Sequence, residues 1–421
     1  MDESTRRRVA VIGSGVAGLT AAHILQQECD VTLFEADDRL GGHAHTHELE
    51  DDDGRPVDVD TGFIVHNRVT YPCLIRLFDE LGVATHESDM SMSIRCEGCG
   101  LEYAGGRGVS GLLPSWRIAL RPRYLRLLFD VTRFHRAARL ALEQGDESET
   151  VEQFARRHHF STHFIAHFLT PLVAAVWSVA PDQAGRYPAR YLFRFLMHHG
   201  MLQVTGSPVW RTVTNGSAQY VDKIGKAVAQ VRTSTPVTSV RRTATGVELV
   251  ADGAVEHFDA AVIAAHPDQA LAMLAEPTTV EREVLGGLPY STNPTVLHHD
   301  TSVLPRTERA GASWNYVMHS CDARSSQVQV SYDMNRLQRL PTTTRYVVTL
   351  NDDGSVPDDQ VIARMVYHHP IYTPETTRAQ ARLPELSDGR LAFAGAYHGW
   401  GFHEDGCRSG VVAAATLGVE W

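Results

Sequence analysis

Short apolar runs alternate with amphipathic segments along the chain, and this alternation predicts an α/β fold. Residues 8–22 begin as a β-branched apolar run and continue into a helical pattern rich in small side chains. A second apolar run follows at 31–34, and further runs occur at 258–265 and 391–396. Strand, helix and strand in this order predict a parallel sheet of the doubly wound kind.

A glycine-rich turn joins the first predicted strand to the first helix. Gly13 permits the tight turn, Gly15 lets backbone N–H groups approach a pyrophosphate, and Gly18 lets helix and strand pack closely. Glu35 ends the second strand, where its carboxylate would accept hydrogen bonds from a ribose. The order of these features predicts a dinucleotide site.

A second glycine pair, Gly41-Gly42, follows the acidic strand end, and a plain nicotinamide dehydrogenase has no need of it. Here the chain resembles the flavin-containing amine oxidase superfamily. In that superfamily such a segment passes over the FAD pyrophosphate, and a later D-x-G strand, here 60–62, lies against the flavin. His43 stands where the superfamily usually has arginine, so the charge contact to phosphate is expected to be weaker or absent.

The C-terminal region carries the same resemblance. The apolar run 391–396 is followed by residues 401–406 and a helix from Cys407 to Leu417, which is how the superfamily ends. The N-terminus of that helix would direct its unpaired N–H groups at the flavin O2. Ala396 replaces the acid that commonly holds the ribitol, and we expect no covalent link through Cys407.

Motifs and resemblance together predict non-covalent FAD. The expected contacts are Gly13, Ser14, Gly15, Val16, Ala17, Gly18, Glu35, Ala36, Arg39, Gly41, Gly42, His43, Gly62, Phe63, Ile64, Val237, Gly395, Ala396, Glu404 and Asp405.

The predicted fold class is α/β: a discontinuous, Rossmann-like FAD-binding domain of the amine oxidase and glutathione reductase type, with an inserted α+β substrate domain. The FAD-binding domain is assigned to residues 1–66, 206–268 and 386–421. The substrate domain takes 67–205 and 269–385, with a mostly helical part at 107–205 and a sheet part at 285–350.

A narrower resemblance rests on the strings at 60–65, 88–93, 176–178 and 402–406. They are similar to a bacterial family of predicted FAD-binding oxidoreductases, which also resembles the N-terminal flavin-binding region of plant cyclopropane fatty-acid synthases. This resemblance implies a lipid-modifying enzyme that dehydrogenates or desaturates an acyl chain by hydride transfer to flavin N5. It also implies a fatty-acid methyltransferase as a partner.

Charge and cysteine content limit the partners and the cellular location that are expected for this chain. The net charge of −11 disfavours nucleic-acid binding. Segment 107–140 departs from this balance, with eight arginines against one acid, Asp130, among apolar residues at helical spacing. It is expected to lie on an anionic membrane surface or to gate an acyl-chain entrance; the alternative is a solvated arginine face on a core helix. Scattered cysteines, no signal peptide and no membrane span predict a cytoplasmic protein, and segment 107–140 adds a candidate peripheral membrane contact.

The remaining candidates concern substrate and metal. The sequence does not single out a catalytic base, and the candidates are His66, Tyr332, Trp400 and His403. Candidate walls of an apolar substrate pocket are Trp177, His198, Trp210, Tyr397 and Trp400. No metal is predicted, because the single CxxC at 96–99 has no second pair and is interpreted as a turn. The histidines at 43, 45 and 47 are interpreted as flavin-adjacent or surface residues.

Two alternatives to acyl oxidation stay open. An amine oxidase would follow the better-known superfamily members, many of which place a lysine near flavin N5, but no lysine follows Lys226. A non-redox isomerase, or an accessory partner of a methyltransferase, would bind FAD without needing an electron acceptor.

Overall fold

The computed structural model describes residues 6–144, 146–202, 207–322 and 329–421. Its strands are β1 (Arg7–Ile12), β2 (Cys29–Phe34), β3 (Thr46–Glu50), β4 (Pro56–Asp60), β5 (His66–Asn67), β6 (Thr85–Glu87), β7 (Met92–Cys96), β8 (Leu101–Gly105), β9 (Trp210–Val213), β10 (Gln230–Arg232), β11 (Val237–Arg242), β12 (Val247–Ala251), β13 (Ala254–Phe258), β14 (Ala260–Ile263), β15 (Tyr290–His298), β16 (Trp314–Met318), β17 (Gln329–Asp333), β18 (Val347–Leu350), β19 (Val361–Pro370) and β20 (Leu391–Phe393).

The helices are α1 (Val16–Leu25), α2 (Pro72–Leu81), α3 (Gly108–Leu112), α4 (Trp116–Ala119), α5 (Pro122–Gln144), α6 (Val151–Arg157), α7 (Thr162–Phe164), α8 (Thr170–Trp177), α9 (Pro181–Ala184), α10 (Ala189–His198), α11 (Ala218–Ala227), α12 (Pro267–Met273), α13 (Thr279–Gly286), α14 (Met334–Leu337), α15 (Pro374–Ala381) and α16 (His403–Thr416). A π-helix at Ile165–Leu169 joins α7 to α8. Short 3₁₀ turns lie at Glu308–Ala310, Asp358–Gln360, Leu383–Glu385 and Ala396–His398.

A parallel sheet organises the nucleotide side of the molecule. Among the described residues its order is β10-β2-β1-β14-β20, and every neighbouring pair runs parallel. The last four residues of β1, from Val9 to Ile12, are buried, because packed elements cover both faces of the sheet: helices on one, and strands β11 to β13 with α12 and α13 on the other. On one face, α1 and α16 pack against each other and against the sheet. The predicted α/β fold class is confirmed.

A second, larger sheet lies on the substrate side. Within the described ranges its order is β19-β15-β18-β17-β16-β7-β8. The sequence places a sheet at 285–350, whereas the observed sheet runs on to Pro370 and also takes in β7 and β8 from 92–105. These strands join because β16 pairs in parallel with β7, a long-range contact that local pattern does not reveal. Helices α3 to α10 cover this sheet with one continuous apolar core.

The predicted domain boundaries stay predictions, and one element departs from them. Helix α2 buries Leu74, Leu77 and Phe78 in the core beneath the parallel sheet, although the boundary at residue 66 assigns it to the substrate domain. The boundary at residue 206 falls outside the described residues.

No helix within the described ranges combines the length and apolar character needed to cross a bilayer.

Candidate functional site

The loop after β1 and the first turn of α1 contain three glycines, and an added side chain would clash with backbone atoms at two of them but not at the third. Gly13 has a φ of +98°, and an added Cβ there would lie 2.6 Å from the Ala264 carbonyl oxygen. At Gly18 an added Cβ would lie 1.9 Å from the Gly13 carbonyl oxygen. At Gly15 it would meet no protein atom within 4 Å. Gly13 and Gly18 are therefore required by the protein's own packing, whereas Gly15 faces open space at the N-terminus of α1.

Glu35 orders this loop from the neighbouring strand end. The Ser14 backbone N–H and hydroxyl both donate to Glu35 Oε2, and the Asp37 backbone N–H donates to Oε1 at 3.0 Å. A carboxylate offers about four lone-pair positions, so one remains for a ribose hydroxyl. Ala36, the next predicted cofactor contact, is exposed. Val237, another predicted contact, begins β11 close by, because the Thr235 N–H donates to the Glu35 carbonyl and holds this segment beside the loop.

The second glycine pair lies directly against the first loop. The Gly41 N–H donates to the Ser14 carbonyl at 3.1 Å, and an added Cβ at Gly42 would lie 3.2 Å from Gly15 Cα. Arg39 directs its guanidinium to the Gly42 carbonyl at 2.8 Å and so braces the turn. The structure thus brings both predicted glycine motifs together.

His43 supplies no positive charge at neutral pH. Its ring lies among Tyr367, His369 and His266, at centroid distances of 5.0, 5.5 and 6.2 Å. Burial, and then the neighbouring His369, hold the pKa of His43 well below its usual value. His45 and His47 instead stack on each other at 4.2 Å, so the three histidines do not converge on one point.

The D-x-G strand crosses the second glycine segment. The Phe63 N–H donates to the His43 carbonyl at 2.7 Å, and an added Cβ at Gly62 would lie 2.1 Å from the same oxygen. Ile64 turns away into the core of the substrate side. This crossing places Phe63 beside the N-terminus of α16, where its ring stacks on His403 with a centroid distance of 3.7 Å.

Helix α16 begins beside α1 because two of its glycines permit close approach. An added Cβ at Gly406 would lie 2.6 Å from a Val16 methyl group, and one at Gly410 would lie 2.4 Å from the Ala17 carbonyl. Cys407 is buried in the same interface, 3.5 Å from the Thr20 hydroxyl. The N-termini of two helices, and their positive dipole ends, therefore lie side by side.

The two acids that begin α16 shape the backbone. Glu404 accepts the N–H groups of Cys73 and Leu74 and so caps α2, and Asp405 accepts those of Trp400 and Phe402 at 3.0 Å. Both were predicted as cofactor contacts, but their carboxylates are engaged by these backbone groups. Ser409 performs a similar task for Gly395, whose N–H donates to its hydroxyl at 2.8 Å, next to Ala396.

Buried imidazoles lie next to this junction. The Tyr220 hydroxyl lies 2.7 Å from His403 Nε2, and burial lowers the pKa of His403 to about 3. His66 is fully buried beside Phe78 and Tyr71, and neither of its ring nitrogens has a hydrogen-bond partner among the described residues. Burial also lowers the pKa of His66 to about 4, so both rings are neutral near pH 7.

Aromatic side chains from distant segments enclose a small cavity of about 20 Å³. Its lining residues are Thr70, Tyr71, His198, His199, Trp400, Phe402, Glu404, Asp405 and Arg408. The His198 and Trp400 rings lie 5.2 Å apart, and the Trp177 indole N–H donates to the Trp400 carbonyl at 3.0 Å. Trp210 stacks parallel to His199 at 6.0 Å. Four predicted pocket residues therefore meet in one aromatic cluster.

Two predicted site residues lie elsewhere. Tyr397 is 1% exposed and packs in the core around β14 and β20, because an added Cβ at Gly395 would already touch its ring at 2.3 Å. It is therefore a core residue and not a pocket wall. Tyr332 lies on β17 with its ring edge against Trp314, and no described contact joins it to His66 or His403.

Comparison with known proteins decides the family. The family model described as flavin containing amine oxidoreductase matches residues 16–305. The chain belongs to this family. The resemblance to the flavin-containing amine oxidase superfamily is thereby confirmed.

Individual relatives match over shorter stretches. (S)-6-hydroxynicotine oxidase from Paenarthrobacter nicotinovorans is 26% identical over 241 residues, covering 55% of this chain and 53% of that protein. Coproporphyrinogen III oxidase from Mycobacterium tuberculosis is 36% identical over 87 residues, covering 20% and 18%. The chain thus spans about half, or less, of the length of these curated relatives.

Solved structures match along nearly the whole chain at low identity. A CLA-producing fatty acid isomerase from P. acnes superposes with a TM-score of 0.69 at 15% identity, covering 98% of this chain and 99% of that one. Cyclohexylamine oxidase from Brevibacterium oxydans IH-35A gives 0.69 at 18% identity, covering 98% of both. These likenesses concern the fold.

The residues of this flavin amine oxidoreductase fit FAD, the cofactor of its family. The open space at Gly15, the absence of a side-chain cap on α1 and the paired helix N-termini suit a pyrophosphate. Gly13 to Gly18, Glu35 and Gly41 to His43 would hold the adenosine and pyrophosphate portion. Phe63 and the first turn of α16 would lie nearer the flavin.

The sequence pattern did not reveal the contacts of Asp60 or the place of Arg408 at the cavity. Asp60 is buried and accepts hydrogen bonds from Thr46, Ser217 and Gln338, which ties three segments together behind the D-x-G turn. Burial raises the pKa of Asp60 to about 6. His199, Phe402 and Arg408 also line the cavity. The motif string around Asp60 and Phe402 was visible, but their contacts depend on tertiary packing.

Proposed function

We propose that this chain is an FAD-dependent oxidoreductase that oxidises the acyl chains of lipids. The observation that carries the proposal is a surface on α4 and α5, here called the basic-apolar face, made of Trp116, Leu120, Leu125 and Phe129 with the arginines at 117, 121, 123 and 126. Trp116 and Leu120 are each 70% exposed, and Phe129 is 56% exposed. Large apolar side chains standing in water among arginines are typical of a surface that docks on anionic lipid.

Two arginines of this face lie over its exposed aromatic rings. The guanidinium of Arg117 lies over the Trp116 ring at 5.5 Å, and that of Arg126 lies over Phe129 at 5.7 Å. Arg126 and Arg133 also pair with the buried Asp130, which fixes the helix against residue 161. The alternative of a merely solvated arginine face does not explain why its apolar neighbours are exposed.

The opposite side of α5 leads toward the cavity. Leu127 and Phe134 are fully buried in the same apolar core as Phe193 and Trp177. Helix α10, which packs on α5, ends at His198 against Trp400. A cavity of about 20 Å³ accommodates a single water molecule, so an acyl chain requires the aromatic side chains to move apart.

The charges around the cavity favour an uncharged chain over an ammonium group. Of the acids among its described lining residues, Glu404 is bound by two backbone N–H groups, and Asp405 by two others and by Arg408 at 2.7 Å. No carboxylate there is left uncompensated. The remaining lining residues are mostly aromatic, namely Tyr71, Trp400, Phe402, His198 and His199, together with Thr70 and Arg408. Burial lowers the pKa of His199 to about 4, so its ring is neutral near pH 7. These rings suit an aliphatic segment.

When bound, FAD supplies the hydride-accepting centre. Removal of two hydrogens from an acyl chain also requires a group that accepts a proton. His66 is neutral near pH 7 and has an unpartnered lone pair, whereas His403 is already hydrogen-bonded to Tyr220. His66 is therefore the preferred candidate base, and the first turn of α16 offers a positive helix end to developing negative charge.

Amine oxidation is the second candidate function, favoured by the family itself and by relatives named as oxidases of 6-hydroxynicotine and cyclohexylamine. Isomerisation of a double bond is a third, since a fatty acid isomerase shares the fold. A fatty-acid methyltransferase partner also remains a prediction.

Anaerobic flavin reduction tests the proposal. The purified protein is mixed with anionic phospholipid vesicles carrying monounsaturated or methyl-branched acyl chains, and separately with primary amines and polyamines, while the visible flavin band is recorded. Bleaching by vesicles but not amines supports acyl oxidation. Bleaching by amines alone overturns it in favour of amine oxidation.

A double variant, Trp116→Ser with Phe129→Ser, tests the basic-apolar face. It should slow bleaching by vesicles while leaving bleaching by dispersed free fatty acid unchanged. Val255→Ser, which removes a side chain 60% exposed on β13, is the control and should change neither. Equal loss with vesicles and free fatty acid would contradict a docking role.

A further inference from the structure

Three cysteines and one histidine, distant in sequence, converge on the substrate side. Their ligand atoms, the Sγ atoms of Cys96, Cys99 and Cys321 and a ring nitrogen of His167, all lie within 4.8 Å of one another. The Sγ atoms of Cys96 and Cys321 are 3.7 Å apart, and Cys99 Sγ is 3.5 Å from His167 Nε2. We infer that these four residues bind one Zn²⁺ ion in a structural Cys₃His site, independent of the proposed function.

The spacing matches tetrahedral zinc. With Zn–S bonds of about 2.3 Å and Zn–N bonds of about 2.0 Å, a tetrahedron places sulfurs about 3.8 Å apart and a sulfur and nitrogen about 3.5 Å apart. The observed 3.7 and 3.5 Å agree with both values. Four protein ligands close the coordination sphere, which is typical of structural zinc and leaves no position for a substrate.

The backbone builds the thiol side of the site in a tight hairpin. Cys96 ends β7, and the turn to β8 carries Cys99, with the Gly100 N–H donating to the Cys96 carbonyl at 2.8 Å. Gly100 has a φ of +65°, a conformation that glycine adopts without strain. This turn directs two thiols of a CxxC pair to the same point.

Cys321 arrives from the neighbouring strand. Because β16 runs parallel to β7, Met318 pairs with Cys96 and the chain continues past the hairpin. An added Cβ at Gly98 would lie 3.0 Å from Ser320 Cα, so the absence of a side chain at Gly98 permits this approach. Cys321 is exposed, which gives an ion a path into the site.

His167 is oriented as a metal ligand should be. It lies in the π-helix, is 1% exposed, and has its Nδ1 atom 3.1 Å from the His163 carbonyl. Donation from Nδ1–H to that carbonyl leaves the Nε2 lone pair facing the thiols, the arrangement found for most metal-bound histidines. The Tyr103 hydroxyl donates to the His167 carbonyl at 2.7 Å and fixes this turn.

The site would fasten the helices to the sheet. The π-helix continues into α8, which ends at Trp177 beside the cavity, whereas the thiols belong to loops of the large sheet. Three thiolates with Zn²⁺ carry one net negative charge, and Arg121, whose guanidinium donates to the Cys99 carbonyl at 2.9 Å, offsets it. The alternative, in which two of these cysteines form a redox-active thiol pair, does not explain why His167 is oriented toward them.

Metal analysis and X-ray absorption of the untagged, flavin-containing protein test the inference. Growth medium supplies both zinc and iron, and elemental analysis should give about one zinc per chain. Absorption at the zinc edge should give three sulfur neighbours at about 2.3 Å and one nitrogen at about 2.0 Å. This measurement requires no variant, so it stands even where a substitution impairs folding.

Cysteine variants locate the metal. Cys321→Ser and Cys99→Ser should each lose most of the zinc, whereas Cys73→Ser, which changes a half-buried cysteine outside the cluster, should keep it. Full zinc content in Cys321→Ser, iron in place of zinc, or a metal-free wild type with free or disulfide-bonded thiols would each overturn the inference.

Discussion

On the nucleotide side the close contacts are between backbone segments. A Cβ added at Gly13, Gly18, Gly62 or Gly410 would lie within 2.6 Å of a backbone carbonyl oxygen. On the substrate side, contact is between large side chains, as where His198, Trp400 and Phe402 line the cavity. Where backbone atoms pack this closely only glycine fits, so the position can be recognised from the local sequence. A pocket wall can be formed by any large apolar residue, so its members cannot be recognised until the residues they contact are known.

The largest expected effect separates Gly15 from the other glycines. Gly15→Val should weaken FAD binding at least about 100-fold, or about 2.7 kcal/mol, because the side chain fills space that the pyrophosphate needs. The apoprotein should still fold, since an added Cβ meets no protein atom within 4 Å. Flavin content and reconstitution titrations measure the loss, with Gly286→Val, also in open space, as control. Stoichiometric flavin in Gly15→Val would count against the assigned site.

Gly410→Ala should act on folding first. Its Cβ would lie 2.4 Å from the Ala17 carbonyl, and overpacking of this kind costs about 1–3 kcal/mol, offset by about 1 kcal/mol from better helix propensity. Urea unfolding should therefore show a lower free energy of unfolding. Gly286→Ala, at an uncrowded helix end, should not lower it. Unchanged stability in Gly410→Ala would show that α16 and α1 pack less closely than described.

Trp400→Ala should affect the substrate side alone. Its ring faces His198 at 5.2 Å, and the backbone N–H that Asp405 binds is retained. We expect about tenfold slower anaerobic flavin reduction by acyl lipid, equivalent to about 1.4 kcal/mol, with flavin content unchanged. Tyr332→Phe, a change outside the described lining of the cavity, serves as control. Loss of flavin from Trp400→Ala would mean that the two sides are not separable.

The smallest expected effect is on pH dependence. Burial lowers the pKa of His66 to about 4, so between pH 6.5 and pH 4 the unfolded chain binds a proton that the folded chain does not. Stability from this group is complete above pH 6.5 and is lost as pH falls toward 4. In a plot of the free energy of unfolding against pH, His66→Gln should therefore reduce the slope between pH 4 and 6.5 by an amount equivalent to up to about one bound proton. Val255→Ser, which changes no titratable group, should leave this slope unchanged.

The sequence predicted the parallel sheet and the meeting of both glycine motifs, because strand, glycine and acid positions are local and carry their own geometry. Trp177, His198, Trp210 and Trp400, expected as walls of an apolar pocket, lie in one aromatic cluster, and of these His198 and Trp400 are among the described lining residues of the cavity. The prediction was wrong for Tyr397, whose ring packs in the core directly against Gly395, where the lack of a side chain makes room for it.

Other features could not be predicted because they depend on pairing across the fold. The parallel contact between β16 and β7 brings Cys321 to the CxxC turn, although 222 residues separate Cys99 from Cys321. Asp60 likewise acquires its partners from segments near 217 and 338. Such contacts leave no periodic pattern in the chain.

The most direct test of acyl oxidation is the mass of the lipid recovered after one anaerobic turnover. We predict that the acyl chain loses two hydrogens for each flavin reduced. An acyl chain of unchanged mass with a shifted double bond, recovered while the flavin stays oxidised, would contradict this account and assign the protein to isomerisation.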